Sequence, residues 1–232
     1  MEIISHRGAA GLAPENTILS INKAIELKVD KIEIDVHQTK DGHLILMHSR
    51  SVNKTTNGKG RIHNMSIDEI ENLYIEDASN GAKIGIPSLE TVFELIKSTT
   101  IKLLIEIKYP NQYPNIDIRL IELIEKWNIS SQIEVFSFDT TFIKNLKNKL
   151  PELDVGIFTF SPFFNKNISS TYSIGIFYMS LFFSNKKIIE LKNNGYKIYA
   201  WTVNSISVVK KLQVKGIDGI ITDFPDKINK NL

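Results

Sequence analysis

The sequence contains no cysteine, which removes disulfides, thiolate metal sites and cysteine nucleophiles from consideration and is compatible with a reducing compartment. It also lacks a charge excess of either sign: 28 Lys and Arg stand against 26 Asp and Glu, for a net charge of +2. Without a basic field, nucleic acid is not an expected partner. Long hydrophobic runs are missing as well. The longest uncharged run, from Asn167 to Asn185, carries five serines, a threonine and a glycine, which argues against a membrane span. The opening MEIISHRG has neither a basic n-region nor a long apolar h-region, so no secretory signal is expected and the chain reads as soluble and cytoplasmic. What remains is 232 residues with an apolar fraction of 42%, enough to build a sizeable core and read as one domain.

Short β-branched runs alternate with segments of helical period, the pattern of repeated βα units. Strands are predicted over 2–6, 31–35, 102–108, 133–138, 154–160, 174–180, 197–203 and 219–222. Helices fit 17–28, 88–97, 116–126, 139–149, 185–193 and 205–214, with Asn16 or Thr17 as the first N-cap and Ser88 capping after Pro87. Eight such units in a chain of this length predict a (β/α)8 TIM barrel. Residues 36–87 break the alternation with a hairpin around Lys40, Asp41 and Gly42, a polar stretch and a short helix near 66–73. They read as an insertion after the second strand, at about 49–87 beyond the hairpin, and less well as a separate small domain, because the segment has too few apolar residues for its own core.

In the second strand Lys31, Glu33 and Asp35 share one face, and Ile32, Ile34 and Val36 share the other. In a barrel the apolar set meets the helices and the acidic set points inward, where repulsion and desolvation demand compensating positive charge. The third strand repeats the pattern, with Leu104, Glu106 and Lys108 opposite Leu103, Ile105 and Ile107. Three carboxylates then converge near the strand C-termini, where barrel enzymes keep their active sites. An all-oxygen site suits one hard divalent cation, Mg2+ or Ca2+, better than zinc. A solvent-facing strand would also explain Glu33 and Asp35 alone, but it poorly explains Glu106 inside LLIEIK. His6 and His48 sit at strand ends beside this cluster and are candidate proton-transfer groups. His37, His43 and His63 have weaker claims, the last two being expected in solvent.

The segments HRGAAGLAPENT (6–17), EIDVHQTKDGHLILMH (33–48), IPSLETVFEL (86–95), IEIK (105–108), AWTVN (200–204) and GIITDFP (219–225) together resemble the glycerophosphodiester phosphodiesterase family, in the family's order and over nearly the whole chain. The resemblance implies a barrel with a small insertion after the second strand, and hydrolysis of small-molecule glycerophosphodiesters to glycerol 3-phosphate and an alcohol. By motif position it also implies metal ligation by Glu33, Asp35 and Glu106, acid/base work by His6 and His48, and phosphate contacts from Arg7 and Lys108. It favours attack by the neighbouring glycerol hydroxyl over direct attack by water, a choice that spacing leaves open. The chemistry asks for such a set independently, because a cation with Arg and Lys stabilises charge gathering on the phosphoryl oxygens.

One departure is Ser49, where the family usually follows the second histidine with Asp. It raises an alternative in which the barrel binds or senses phosphodiesters with reduced turnover. Trp201, in phase with Tyr199, either packs on the glycerol moiety at the barrel mouth or fills the core. FTFSPFF (158–164) and LFF (181–183) could form an apolar rim, as a lysophospholipase D-type headgroup hydrolase would use, but ordinary helix packing is the expected role. Glu15 and Asn16 are expected near the site, with capping sufficient to explain Asn16. Asp223 is expected to fix a loop.

Overall fold

The computed structural model describes residues 1–164 and 172–229, so residues 167–171 of the long uncharged run lie outside it. Its strands are β1 (Glu2–Ser5), β2 (Lys31–Gln38), β3 (Leu44–Leu46), β4 (Tyr74–Glu76), β5 (Lys83–Gly85), β6 (Lys102–Ile107), β7 (Ile133–Ser137), β8 (Asp154–Thr159), β9 (Ser173–Phe177), β10 (Lys197–Trp201) and β11 (Gly219–Thr222). All except β3, β4 and β5 pair in parallel, in the order β1-β11-β10-β9-β8-β7-β6-β2, and the pairing of β1 with β2 closes the ring. The predicted eight-stranded barrel is therefore observed. Short β3 runs antiparallel to the end of β2, as the hairpin pattern requires.

Helices α1 (Ile18–Glu26), α2 (Ile67–Glu71), α3 (Leu89–Ile96), α4 (Ile116–Trp127), α5 (Thr140–Lys149), α6 (Tyr178–Leu181), α7 (Asn185–Asn193), α8 (Ile206–Val214) and α9 (Pro225–Asn229) lie between and after the strands. Helix α3 buries Leu89, Val92, Phe93 and Ile96, the i, i+3, i+4, i+7 stripe of an amphipathic helix, and Ser88 caps it through the Thr91 N–H at 3.1 Å. Thr17, not Asn16, caps α1 by accepting from the Ser20 N–H. The predicted strand 174–180 stops at Phe177 and turns into α6.

The main core lies between the outward strand faces and the helices, with Ile32, Ile34 and Val36 of β2 and Leu103, Ile105 and Ile107 of β6 in it. A second cluster fills the barrel itself: Ile4, Leu104, Phe136, Phe158, Tyr199 and Ile221, with Trp201 against it. Gly156 and Gly175 make room for the rings, since a Cβ would lie 2.2 Å from Phe136 at the first and 2.3 Å from Phe158 at the second. The insertion buries Val52, Ile62, Ile70, Ile75 and Ile86, but it does so against Ile45 and Met47 of the hairpin arm.

At the N-terminal end of the barrel, Lys31 Nζ donates to Glu134 Oε2 and to Tyr199 Oη, both at 2.6 Å, and pairs with Glu2 at 3.1 Å. Burial opposes the ammonium, but Glu134 outweighs it and raises the Lys31 pKa. This plug lies on the same strand face as the carboxylates at the other end. Lys31→Met is expected to lower the unfolding free energy, measured in urea, by about 3–5 kcal/mol, because it strands the Glu134 charge. Adding Glu134→Leu is expected to recover most of that loss. If the double variant is no more stable than the single one, Glu134 is not the group left uncompensated.

Candidate active site

Register brings the acidic groups together. Asp35 of β2 pairs directly with Glu106 of β6, two residues beyond the pair Glu33–Leu104. Carboxylate oxygens of Glu33, Asp35 and Glu106 all lie within 4.8 Å of one another, and the three residues are buried. Every residue of β2 is buried, so the strand is not solvent-facing on its polar side.

The residues around the cluster hold it in place. After β1 the chain turns sharply, with positive φ at Arg7 and at Gly8. A Cβ on Gly8 would come 2.2 Å from Ser20 Oγ, so only glycine fits this approach to α1. The turn is pinned to β2, with the Arg7 N–H donating to Glu33 Oε2 at 2.8 Å and the Gly8 N–H to the Glu33 carbonyl at 3.1 Å. The Arg7 guanidinium lies 3.3 Å from Asp35 and 2.8 Å from Glu15. Asn16, buried and in the left-handed region, grips Asp35 twice: Nδ2 donates to Oδ2 at 2.9 Å, and Oδ1 accepts from the Asp35 N–H at 3.0 Å. Lys108 Nζ sits between Asp35 Oδ1 at 2.9 Å and Glu106 Oε1 at 2.8 Å.

Three carboxylates thus meet two cations, one of them shared with Glu15, and the cluster is short of positive charge. Burial and its acidic neighbours Asp35 and Glu106 push the Glu33 carboxyl well above the ordinary range. Burial, with Asp35 beyond it, lifts Glu106 to about 7 against the pull of Lys108. Asp35 goes the other way, because Lys108 and Arg7 overcome its burial and hold it low. The donor set is what a hard divalent cation takes, and oxygens at about 2.3–2.6 Å from Ca2+ can lie up to roughly 5 Å apart. The residues therefore fit a metal ion.

His6 and His48 both line the cavity at the barrel mouth, in different settings. His6 Nδ1 bonds Asp223 Oδ1 at 2.6 Å, and its Nε2 lies 3.9 Å from Glu33. Asp223 is itself fixed by Asn204, whose Nδ2 donates to Oδ2 at 2.7 Å. Burial works against the Asp223 charge, but the His6 hydrogen bond holds its pKa below the usual range. His48 is placed by the hairpin, where the Met47 N–H donates to the Asp35 carbonyl at 3.0 Å. Among the described residues no side chain hydrogen-bonds its ring, and Ser49 beside it offers no carboxylate. Burial lowers His48 to about 4, leaving a neutral imidazole near pH 7.

The other sequence expectations divide. Trp201 lines the cavity and packs on Phe138, Phe158, Phe160 and Phe177. Asn16 is a clamp on Asp35 and not a cap. Asp223 holds a site histidine, a role that no local pattern announces. His37 is fully buried, with Nδ1 2.5 Å from Tyr113 Oη, and burial takes it down to about 4. His43 is exposed as expected, whereas His63 is half-buried. Of the aromatic stretches, Leu181 is buried in the main core, Phe164 and Phe182 pack on it and Phe158 is buried inside the barrel, while Phe160, Phe163 and Phe183 are exposed. Helix packing was the wrong expectation for these three, which lie beyond the ends of β8 and β9.

Residues 6–227 match the glycerophosphoryl diester phosphodiesterase family. A glycerophosphodiester phosphodiesterase of Caldanaerobacter subterraneus subsp. tengcongensis is 35% identical, over 97% of this chain and 95% of that protein. One of Bacillus altitudinis is 30% identical, over 99% of this chain and 97% of its own length. Among solved structures, an Oleispira antarctica phosphodiesterase in complex with the product sn-glycerol-3-phosphate is similar in fold, with a TM-score of 0.88 at 24% identity over 99% and 96% of the two chains. No helix among the described residues is long and apolar enough to cross a membrane.

The charge shortage has a measurable sign. The folded form holds the Glu106 proton more tightly than the unfolded chain does, so stability from this group is lost as pH rises from 4.5 through about 7. With divalent cations removed by EDTA, Glu106→Gln is expected to gain on the parent protein across that interval by on the order of 1–3 kcal/mol, read from urea unfolding at each pH. His37 and His48, both lowered to about 4, act in the opposite direction but cancel in the difference. A difference that stays flat with pH, or that saturating Ca2+ and Mg2+ leave unchanged, contradicts a cluster in need of a cation.

Proposed function

This chain belongs to the glycerophosphoryl diester phosphodiesterase family and hydrolyses glycerophosphodiesters, and we propose that it does so with His6 and His48 as the proton-transfer pair beside one divalent cation. Glu33, Asp35 and Glu106 are the proposed ligands and Mg2+ or Ca2+ the proposed ion. The observation that carries this reading is the set of three buried carboxylates within 4.8 Å of one another, with His6 and His48 lining the same cavity. When bound, the cation supplies positive charge to the phosphoryl oxygens as negative charge gathers on them.

Arg7 and Lys108 extend that stabilisation from the protein side. Both guanidinium and ammonium are anchored to Asp35, so they are oriented before substrate arrives and need not reorganise during the reaction. His48, neutral near pH 7, accepts the proton of the attacking hydroxyl, which is the glycerol 2-hydroxyl in the route that family resemblance favours. His6 hands a proton from Nε2 to the departing alkoxide, while Asp223 fixes the ring through Nδ1. Trp201 packs on the glycerol moiety. The whole chain is proposed to work as one domain in the cytoplasm, with residues 49–87 as an appendage beside His48.

Purified protein assayed with glycerophosphocholine is expected to release glycerol 3-phosphate in the presence of Mg2+ or Ca2+ and to stop in EDTA. His6→Ala and His48→Ala are each expected to lower kcat about 10²- to 10⁴-fold. Binding without turnover under any cation would instead favour the phosphodiester-sensing reading that Ser49 raises. Asp223 is a positioning residue in this scheme. Asp223→Asn is expected to reduce kcat by about 10- to 10³-fold with KM little changed and the pH profile displaced. Equal losses in kcat/KM and in thermal stability, with an unmoved pH profile, would reduce Asp223 to a structural role.

A further inference from the structure

His48 sits on the hairpin arm, outside the closed ring of parallel strands. The ladder between β2 and β3 ends at the pair Val36–Leu46, two residues short of it. Its partner His6 is held by Asp223, whereas beside His48 there is only Ser49. A proton acceptor has to be placed closely, since a misplacement of about 1 Å can cost about 10²-fold in rate. Some other group must therefore fix the chain at residue 48.

That group is His37, the penultimate residue of β2, which is fully buried. Its Nε2 lies 3.4 Å from the His48 carbonyl and its Nδ1 2.5 Å from Tyr113 Oη. A carbonyl only accepts, so Nε2 carries the hydrogen, and the bare Nδ1 of the neutral ring accepts from the Tyr113 hydroxyl. Burial raises the Tyr113 pKa, which keeps that hydroxyl a donor. Two hydrogen bonds in series thus run from Tyr113 through His37 to the backbone of His48. The imidazole is also packed by rings from the same loop, Tyr113 edge-on at 5.9 Å and Tyr109 tilted at 6.1 Å between centroids. Tyr109 in turn carries the Arg50 guanidinium 3.5 Å from its ring centroid. The arm is therefore moored at residues 48 and 50 to the one loop that follows β6 and begins with Lys108.

We propose that His37 is a positioning residue for His48, holding its backbone from the loop after β6 so that the ring is aimed without a carboxylate beside it. This rests on the reading of His48 as the proton acceptor and deepens it. A histidine that merely filled the core would have no reason to spend its donor on the backbone of that residue, beyond the end of the ladder.

His37→Leu, His37→Gln and Tyr113→Phe separate this role from core packing. Leucine has no polar atom, whereas glutamine keeps one group that donates and one that accepts. With glycerophosphocholine and Mg2+, His37→Leu is expected to lower kcat about 10- to 10²-fold with KM changed less than about twofold, and His37→Gln to recover most of that loss. Tyr113→Phe, which leaves the imidazole in place, is expected to fall between the parent and His37→Leu. The Kd of glycerol 3-phosphate, read by calorimetry, is expected to stay within about twofold throughout, because Arg7 and Lys108 are untouched. An unchanged kcat in His37→Leu, equal losses in the Leu and Gln variants, or a Kd that weakens in step with kcat overturns the proposal. Where His37→Leu fails to fold, Tyr113→Phe decides: a lowered kcat at unchanged Kd supports the role, and an unchanged kcat overturns it. A parent protein that turns nothing over overturns the hydrolytic reading instead. The His48 imidazole resonance, identified by its loss in His48→Ala, then decides the positioning: a shift in His37→Leu that His37→Gln reverses supports it, and an unmoved resonance overturns it.

Discussion

Asp35 and Glu106 are held side by side, on neighbouring strands and out of water, where their charges repel. Backbone register imposes this placement, and desolvation adds several kcal/mol of cost per ion unless it is compensated. Much of the surrounding chain is explained by that compensation. Lys108 bridges the pair, Arg7 reaches Asp35 from the turn after the neighbouring strand β1, and Asn16 gives Asp35 two hydrogen bonds. The left-handed backbone at Arg7 and Asn16 places those groups within reach. Even so, the compensation is incomplete, and the raised Glu33 and Glu106 carboxyls record what is missing.

The two histidines stand in contrast. His6 is tied to Asp223, 217 residues away in sequence, because β1 and β11 are neighbours in the closed ring. Its ring has one orientation imposed on it, with Nδ1 turned to Asp223. His48 comes from a hairpin arm outside the ring and has a lowered pKa but no side-chain partner holding its ring among the described residues. An oriented imidazole and a neutral one suit opposite directions of proton transfer, and the asymmetry arises from where each strand end falls.

Inside the barrel, charge and aromatic surface are segregated by strand. Strands β1, β2 and β6 bring the ionised groups, while successive inward positions on β7, β8 and β10 and just beyond carry Phe136 and Phe138, Phe158 and Phe160, and Tyr199 and Trp201. Glycines at 156 and 175 free the volume these rings occupy. The inner member of each pair is buried and the outer one reaches the mouth, so the packing of the core and the apolar wall of the cavity are one continuous structure. At the other end Lys31, Glu134 and Tyr199 close the interior with a compensated charge.

The sequence alone determined the number of barrel strands, the inward face of β2 and β6, and the arrival of three carboxylates and two histidines at one end. Those features follow from period-two alternation and strand ends, which are local. Tertiary structure decided the rest. That Asp223 would hold His6, that Lys31 would meet Glu134 and Tyr199, and that Asn16 would clamp Asp35 depend on which strand ends become neighbours when the ring closes. A polar residue in a loop carries no local sign of a partner so distant. Phe158 and Phe160 show the same limit in apolar residues: their composition is identical, but one lies below the mouth and one above it. Burial is set by position relative to the closed barrel, which no short stretch of chain contains.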